Sequence, residues 1–244
     1  IAAGVDAGLT GGKLIGLAAV FTAVYMIVSP NLMRPLVKSV TGDDSFTIGH
    51  PTTCLSLLSA GLATLFGNKE HSTEDLNVPK SLGFLREISI TGSITIAITY
   101  IVLYFILVAN GKDPGTIWGY AGGTTGIFTY IFTHAIYFGV GITVMLQGVR
   151  MMIAEIVPAF KGIADKIVPN AIPALDVPVI FPYAPNALLI GFIVAMITSI
   201  ITLLLTSGMF PTVVIPLIST CFFETGCAAI IGNAKGGVRG CIIG

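Results

Sequence analysis

Residues 169–186 read PNAIPALDVPVIFPYAPN, an apolar run that carries five prolines and a single carboxylate, Asp176. Each proline lacks a backbone donor and clashes with the turn before it, so no continuous helix can pass through the segment. Yet it leads straight into a clean apolar run at 187–205, and about 20 such residues are what a helix needs to cross a bilayer. Backbone that is not helical survives at membrane depth only where protein or a water-filled cavity covers it. The stretch is therefore predicted to be a broken or re-entrant segment that lines a cavity in an all-α, polytopic membrane bundle.

The rest of the chain agrees with a membrane setting. Hydrophobic residues make up 54% of the 244, charged residues 10%, and the mean hydropathy is +0.93. A water-soluble domain of this length needs far more charged surface. Twelve Lys and Arg balance twelve Asp and Glu, which leaves no basic field for nucleic acid. The chain begins at Ile1 and ends at Gly244 just after an apolar Cys-Ile-Ile, with no signal-peptide pattern. Both ends read as cut, so it is expected to be part of a longer transporter.

Working toward the N-terminus, two long spans are expected at 90–108 and 122–146. They flank the turn Asn110-Gly111-Lys112-Asp113-Pro114-Gly115. Residues 150–166 read as a separate amphipathic segment of mixed charge. An earlier span is expected at 14–28, with Pro30 and Pro35 disrupting the helix beyond it. A short apolar stretch follows at 52–66. Residues 67–87 are the most polar of the chain; Ser72-Thr73-Glu74-Asp75 is rich in helix-start residues. Leu82, Phe84 and Leu85 beside Lys80 and Arg86 suggest an interfacial helix, with a solvent loop as the alternative for the first half. Residues 69–86 and 150–166 each carry three basic side chains and the turn between them one, which places the first two in the cytoplasm. Near the C-terminus, Thr225-Gly226, Gly232-Asn233 and Gly236-Gly237 are expected to interrupt a second apolar stretch. Trp118 and Tyr120 fit an aromatic belt at the outer interface.

The two halves echo one another weakly. Arg34-Pro35-Leu36-Val37-Lys38 leads through a polar turn to His50 and a small-residue apolar stretch. Pro158-Ala159-Phe160-Lys161 leads through a Pro/Asn turn to Asp176 and another. Paired interrupted segments are the sequence pointer to a transporter binding site.

Asp176 is the first site candidate, because an isolated carboxylate in apolar sequence is rarely idle. It would accept hydrogen bonds from solute hydroxyls or take a proton from one; the alternative is a turn or N-cap carboxylate. His50, after Gly49 and before Pro51, offers one donor and one acceptor to a polyhydroxylated ligand, or is a structural histidine. Glu224 precedes a Gly-rich break and reads equally as site or cap. His134 lies inside a span and carries the same two readings as His50, with packing favoured. Cys54, Cys221, Cys227 and Cys241 fit no metal or redox spacing, and no phosphate-cradling loop or nucleophile elbow is present. No metal or cofactor is implied, and no self-contained catalytic site.

Residues 148–192, GVRMMIAEIVPAFKGIADKIVPNAIPALDVPVIFPYAPNALLIGF, closely resemble the ascorbate-specific membrane component (EIIC) of the bacterial sugar phosphotransferase system. So do Ser72-Thr73-Glu74-Asp75 with Pro79-Lys80-Ser81-Leu82-Gly83-Phe84-Leu85, and Gly232-Asn233-Ala234-Lys235-Gly236-Gly237-Val238-Arg239-Gly240. The resemblance implies a homodimer in the bacterial cytoplasmic (inner) membrane, built from inverted repeats with re-entrant hairpins. On that mapping 1–67 end the first core repeat and 68–87 form a cytoplasmic amphipathic connector. Residues 88–149 form the dimerisation helices, 150–168 a second connector, and 169–244 the second core repeat.

The resemblance further implies uptake of L-ascorbate with phosphorylation by a phosphocysteine on the soluble partner EIIB, itself recharged through EIIA. Asp176 and His50 would then surround the substrate, one as proton acceptor for its hydroxyl and the other as orienting hydrogen bonder. Thr52, Thr53, Tyr183 and Asn186 are further substrate-binding candidates, chosen for polarity beside those two. Helix N-termini or free backbone N–H groups should face the ascorbate anion. Two other readings stand beside this one: an ion-gradient-driven secondary transporter of a small polar anion or sugar acid, and a membrane scaffold in which Asp176 is only a capped turn.

Overall fold

The computed structural model describes residues 8, 10–76, 87–120, 123–206 and 218–244. Helices make up nearly all of it: α1 (Gly11–Thr41), α2 (Thr53–Phe66), α3 (Ile88–Ala109), α4 (Pro114–Trp118), α5 (Gly123–Lys166), α6 (Pro185–Thr206) and α7 (Ile218–Ile243). Two dipeptide strands, β1 (Thr47–Ile48) and β2 (Ala174–Leu175), pair in parallel. Among the described residues four helices, α1, α3, α5 and α6, are long and apolar enough to cross a membrane. The expected all-α polytopic bundle is thus present. The interfacial helix expected around Leu82, Phe84 and Leu85 lies outside the described residues.

Three boundaries differ from expectation. First, α1 runs through Pro30 and Pro35 instead of ending before them. Proline is tolerated in membrane helices where other groups reach the disturbed backbone. Here Thr47 Oγ1 donates to Pro30 O at 2.8 Å and Asn31 Nδ2 to Ile27 O at 2.8 Å, at the carbonyls next to those, Met26 and Asn31, that lose an amide partner to the prolines. The helix ends at Gly42, whose φ of 82° is left-handed and whose N–H bonds to Lys38 O.

Second, α5 is one helix of 44 residues, continuous past Arg150 and through Pro158. At 1.5 Å per residue it extends about 66 Å, roughly twice the hydrocarbon thickness. The change from apolar to charged residues near 150 therefore marks a change of surroundings along one rod. Helix α3 lies against its first half, brought close by Gly139, where an added Cβ would strike Ser93 Oγ and Ser89 O. Rings from α3, α4 and α5 close the end of this pair nearest the 110–115 turn: Trp118 stacks on Tyr130 with centroids 5.8 Å apart, and Tyr100 meets Trp118 edge-on at 5.3 Å.

Third, α7 stays helical through Thr225-Gly226 and Gly232-Asn233 and breaks only at Gly236 and Gly237. The earlier glycines serve close packing. A Cβ on Gly226 would come within 2.5 Å of Leu188 Cδ1, and one on Gly232 would meet Gly240 O. Beyond the break the chain doubles back, so that Cys241 Sγ reaches Ala187 O at 3.5 Å. Helix α2, about 21 Å long and too short to span, lies against α7 through small residues, with Ser59 Oγ donating to Ala228 O at 2.6 Å.

The proline-rich segment is broken, as its sequence requires. After β2 it forms a 3-10 helix, Val177–Tyr183. Val177, Val179, Ile180 and Phe181 are each at most 1% exposed. Phe181 and Phe192 both pack edge-on against Phe222 at 5.4 Å, which joins the 3-10 helix and α6 to α7.

Candidate functional site

The strand pair sets up the site. Thr47 lies opposite Ala174 and Ile48 opposite Leu175. Thr47 N donates to Pro173 O and Gly49 N to Leu175 O, both at 2.9 Å. The two halves therefore leave the ladder side by side, one into His50 and the other into Asp176. Gly49 fits this approach because a Cβ there would sit 3.3 Å from Ala174 Cβ and 3.4 Å from Pro30 Cγ.

His50 stands between two carboxylates. Its Nε2 is 3.5 Å from Asp176 Oδ1, and its Nδ1 is 3.6 Å from Glu224 Oε1 on α7. Thr52 N–H donates to Nδ1 at 3.3 Å, so a neutral imidazole keeps its hydrogen on Nε2, facing Asp176. The His50 carbonyl is held by Tyr25 OH from α1 at 3.1 Å and by Thr53, through Oγ1 at 3.0 Å and its amide at 3.3 Å. Thr52 Oγ1 donates to Glu224 O at 3.2 Å, tying the start of α2 to α7.

Exposure separates these groups. The Asp176 side chain is 68% exposed, whereas His50 and Glu224 are 24% and 26% exposed. Asp176 also caps its own 3-10 helix, because Oδ1 accepts from Val177 N at 2.8 Å. The cap reading and the site reading thus coexist in one side chain: one oxygen fixes the turn while the carboxylate stays open. Two carboxylates and an imidazole, His50 and Asp176 on broken backbone and Glu224 on α7, make an acceptor-rich surface. Such a surface suits a ligand that presents hydroxyl donors, and it can take a proton from one.

The sequence candidates divide accordingly. His50, Asp176, Thr52 and Thr53 come together, joined by Glu224 and Tyr25. Glu224 carried a sequence signal as a lone carboxylate in apolar sequence; Tyr25, inside a plain apolar span, carried none. Tyr183 points elsewhere, its ring 6.0 Å from that of Phe46, beside a cleft of about 230 Å³ that it lines with Arg150, Ile153 and Pro182. Asn186 is engaged by the segment before α3: its Nδ2 donates to Thr73 O at 3.2 Å. The N-terminus of α6, an expected anion seat, is taken by Glu74, which accepts from Ala187 N at 3.0 Å and Asn186 N at 3.4 Å. His134 Nδ1 lies 2.9 Å from Tyr130 O within its own helix, in keeping with packing. Among the described residues no set of three or more His, Cys, Asp or Glu is grouped as a metal site.

The family described as EIIC-GAT, PTS system sugar-specific permease component, matches residues 1–244. A curated relative, the "Ascorbate-specific PTS system EIIC component" of Mycoplasma pneumoniae, is 28% identical over 265 residues. The match covers 100% of this chain and 39% of that relative, so the chain spans about two fifths of the relative's length.

Proposed function

The chain belongs to the EIIC-GAT family, the sugar-specific permease components of the PTS system, and from that premise we propose that it binds L-ascorbate, carries it inward and presents it for phosphorylation by phospho-EIIB. A member of this family with four membrane-length helices is a multi-pass membrane protein, and in bacteria that membrane is the inner one. Ascorbate comes from the name of the Mycoplasma pneumoniae relative and from the motif resemblance.

The observation that carries the reading is the meeting of His50 and Asp176 at 3.5 Å on two broken segments. In the proposed step the terminal hydroxyl oxygen of ascorbate forms a bond to phosphorus as the phosphorus–sulfur bond to the EIIB cysteine breaks. The hydroxyl proton passes to Asp176, and His50, whose Nε2 carries a hydrogen while Nδ1 accepts from Thr52 N–H, orients the hydroxyl. The chain supplies no nucleophile, so its contribution is positioning and proton acceptance. Thr52 and Thr53 hold the His50 turn, and Tyr183 and Asn186 are outer candidates framing the segment after Asp176.

The domain division belongs to the same proposal. Residues 1–67 and 169–244 are read as two inverted core halves around the substrate. Residues 88–149 are read as the dimerisation helices, with 68–87 and 150–168 as connectors.

The test uses full-length protein in vesicles with purified phospho-EIIB, following radiolabelled ascorbate and its phosphate. Ascorbate phosphate formed only with phospho-EIIB, and lost in Asp176→Asn, is the expected result. Accumulation of unmodified ascorbate that collapses with an ion gradient would replace this reading with a secondary transporter. Absence of any ascorbate uptake would remove the substrate assignment.

A further inference from the structure

Residues 68–76 form a strap that touches the elements bearing the site without reaching the site itself. On one side the strap holds the start of α6. Pro185 has no N–H, and the next two amide groups, Asn186 and Ala187, lack partners within their own helix, as the first turn of any helix does. Both donate to the carboxylate of Glu74, more than a hundred residues away in sequence. Thr73 Oγ1 donates to the same carboxylate at 3.2 Å, and Asn186 Nδ2 returns a bond to Thr73 O. A carboxylate here also meets the positive end of the helix dipole.

On its other side the strap holds α7. The Thr73 amide donates to Asn233 Oδ1 at 2.9 Å, and Asn233 Nδ2 donates to Ser72 Oγ at 3.1 Å. Thr73 is 0% exposed and Asn233 9% exposed. Two backbone bonds close the clasp around the break in α7: Asn68 N to Gly236 O at 2.8 Å and Val238 N to His71 O at 2.7 Å.

These contacts bear on the site through rigid connections. The start of α6 follows directly on the 3-10 helix whose first residue is capped by Asp176. Helix α7 carries Glu224, and the strap itself continues from α2, which opens just after His50. We propose that Glu74 is a positioning residue: by fixing the start of α6 relative to α7, it sets where Asp176 stands against His50 and Glu224. Asp176 needs such an anchor. Its side chain is largely exposed; among the described residues it accepts from its own neighbour, Val177, and faces His50 Nε2 at 3.5 Å. Its place is therefore set by the backbone on either side of it, the β1–β2 ladder before and the start of α6 after.

This inference rests on the proposed reading of the site, so its test has one arm that uses ascorbate and one that does not. In vesicles with phospho-EIIB, Glu74→Gln, which places an amide donor against a helix N–H, raises the KM for ascorbate roughly 10-fold, on the scale that small misplacements produce. Vmax per folded transporter stays within about twofold in that comparison. Asn233→Ala, which releases the strap from α7 and leaves the α6 cap, shifts KM in the same direction. A merely structural role would lower Vmax and folded yield and leave KM unchanged; that result overturns the proposal.

The second arm is amide hydrogen exchange on ligand-free, full-length protein. Glu74→Gln speeds exchange across 174–190 and leaves the α3 and α5 amides as in the wild type. Unchanged exchange at 174–190, or an equal rise throughout, overturns the proposal even if ascorbate proves to be the wrong solute. Wild-type protein that takes up no ascorbate overturns the substrate reading, and the exchange result then decides the role of Glu74.

Discussion

His50 Nε2 lies 3.5 Å from Asp176 Oδ1 because the strands before them pair in parallel, Ile48 opposite Leu175. The ladder is two residues per strand, too short to add much stability. Its consequence is geometric: it brings the two places where the halves of the chain break from helix onto one spot. Glu224 completes the group from α7, at 3.6 Å from the other imidazole nitrogen.

If His50 and Asp176 act as a unit on one hydroxyl, their losses do not add. Asp176→Asn and His50→Gln each lower the rate of ascorbate phosphate formation by about 100-fold or more, the usual scale for removing a general base or its partner. The double variant is then expected to be little worse than either single one. The check is single-turnover transfer from phospho-EIIB, with ascorbate binding measured in parallel. A double variant that loses the product of the two single effects would assign the residues independent roles.

The contact between α3 and α5 gives a paired test of packing. Gly139 faces Ser89 and Ser93, whereas Gly141, two residues on, has nothing within 4 Å of an added Cβ. Gly139→Ala is expected to destabilise by about 1–3 kcal/mol through overpacking. Gly141→Ala is expected to be neutral, or stabilising by up to about 1 kcal/mol from helix propensity. Thermal or denaturant unfolding in one detergent reads both, and equal effects would mean that the helices do not approach closely at Gly139.

Much of this fold was legible in the sequence because apolar length reports membrane spans directly. The broken segment at 169–186 was legible because proline acts locally, and Asp176 and His50 were picked out as candidates for a related reason, as polar groups beside such breaks. The errors came where tertiary contacts override local preference. Pro30 and Pro35 sit inside a continuous helix whose neighbouring carbonyls are braced by side chains, and the glycines at 226 and 232 permit close helix packing without breaking α7. The partners of His50 were the least legible. Nothing in the spacing of Tyr25, Glu224 and His50 announces their meeting, because their approach depends on how α1, α2 and α7 pack. Asn186 showed the reverse problem: it lies ten positions after Asp176 in an attractive motif, yet its amide is engaged by Thr73.

The turn between α3 and α4 supplies a pH test. Asp113 caps α4, accepting from Gly115 N at 3.2 Å, Thr116 N at 3.0 Å and Thr116 Oγ1 at 2.6 Å. The Thr116 hydroxyl first, and then the two amides, hold its carboxyl below the ordinary value of 3.8. A carboxyl lowered in the folded state stabilises above its unfolded value, and that contribution disappears as pH falls through the folded value. Trp118 fluorescence is therefore expected to be flat from neutral pH down to about 4 and to change below it, as α4 loses its cap. Asp113→Asn should remove that step. A step of the same size in the variant would assign the change to another group.

Gly237 carries the last prediction. Its φ of 60° and ψ of −153° lie in a region open essentially to glycine alone. An added Cβ would also meet the carbonyl oxygens of Asn68 and His71. Gly237→Ala is thus opposed twice, by backbone strain of about 1–3 kcal/mol and by collision with the strap. The bond from Val238 N to His71 O, 2.7 Å long, would be the first to lengthen. Unfolding midpoints should fall, and exchange of the Val238 amide should rise more than that of Ala228 or Ile230 deep in α7. Gly236→Ala would collide with Ala63 O and Gly67 Cα, but its φ of −146° is open to any residue. It should therefore destabilise through packing alone. If the two variants prove equally mild, the turn at the end of α7 does not require the conformation that only Gly237 can adopt.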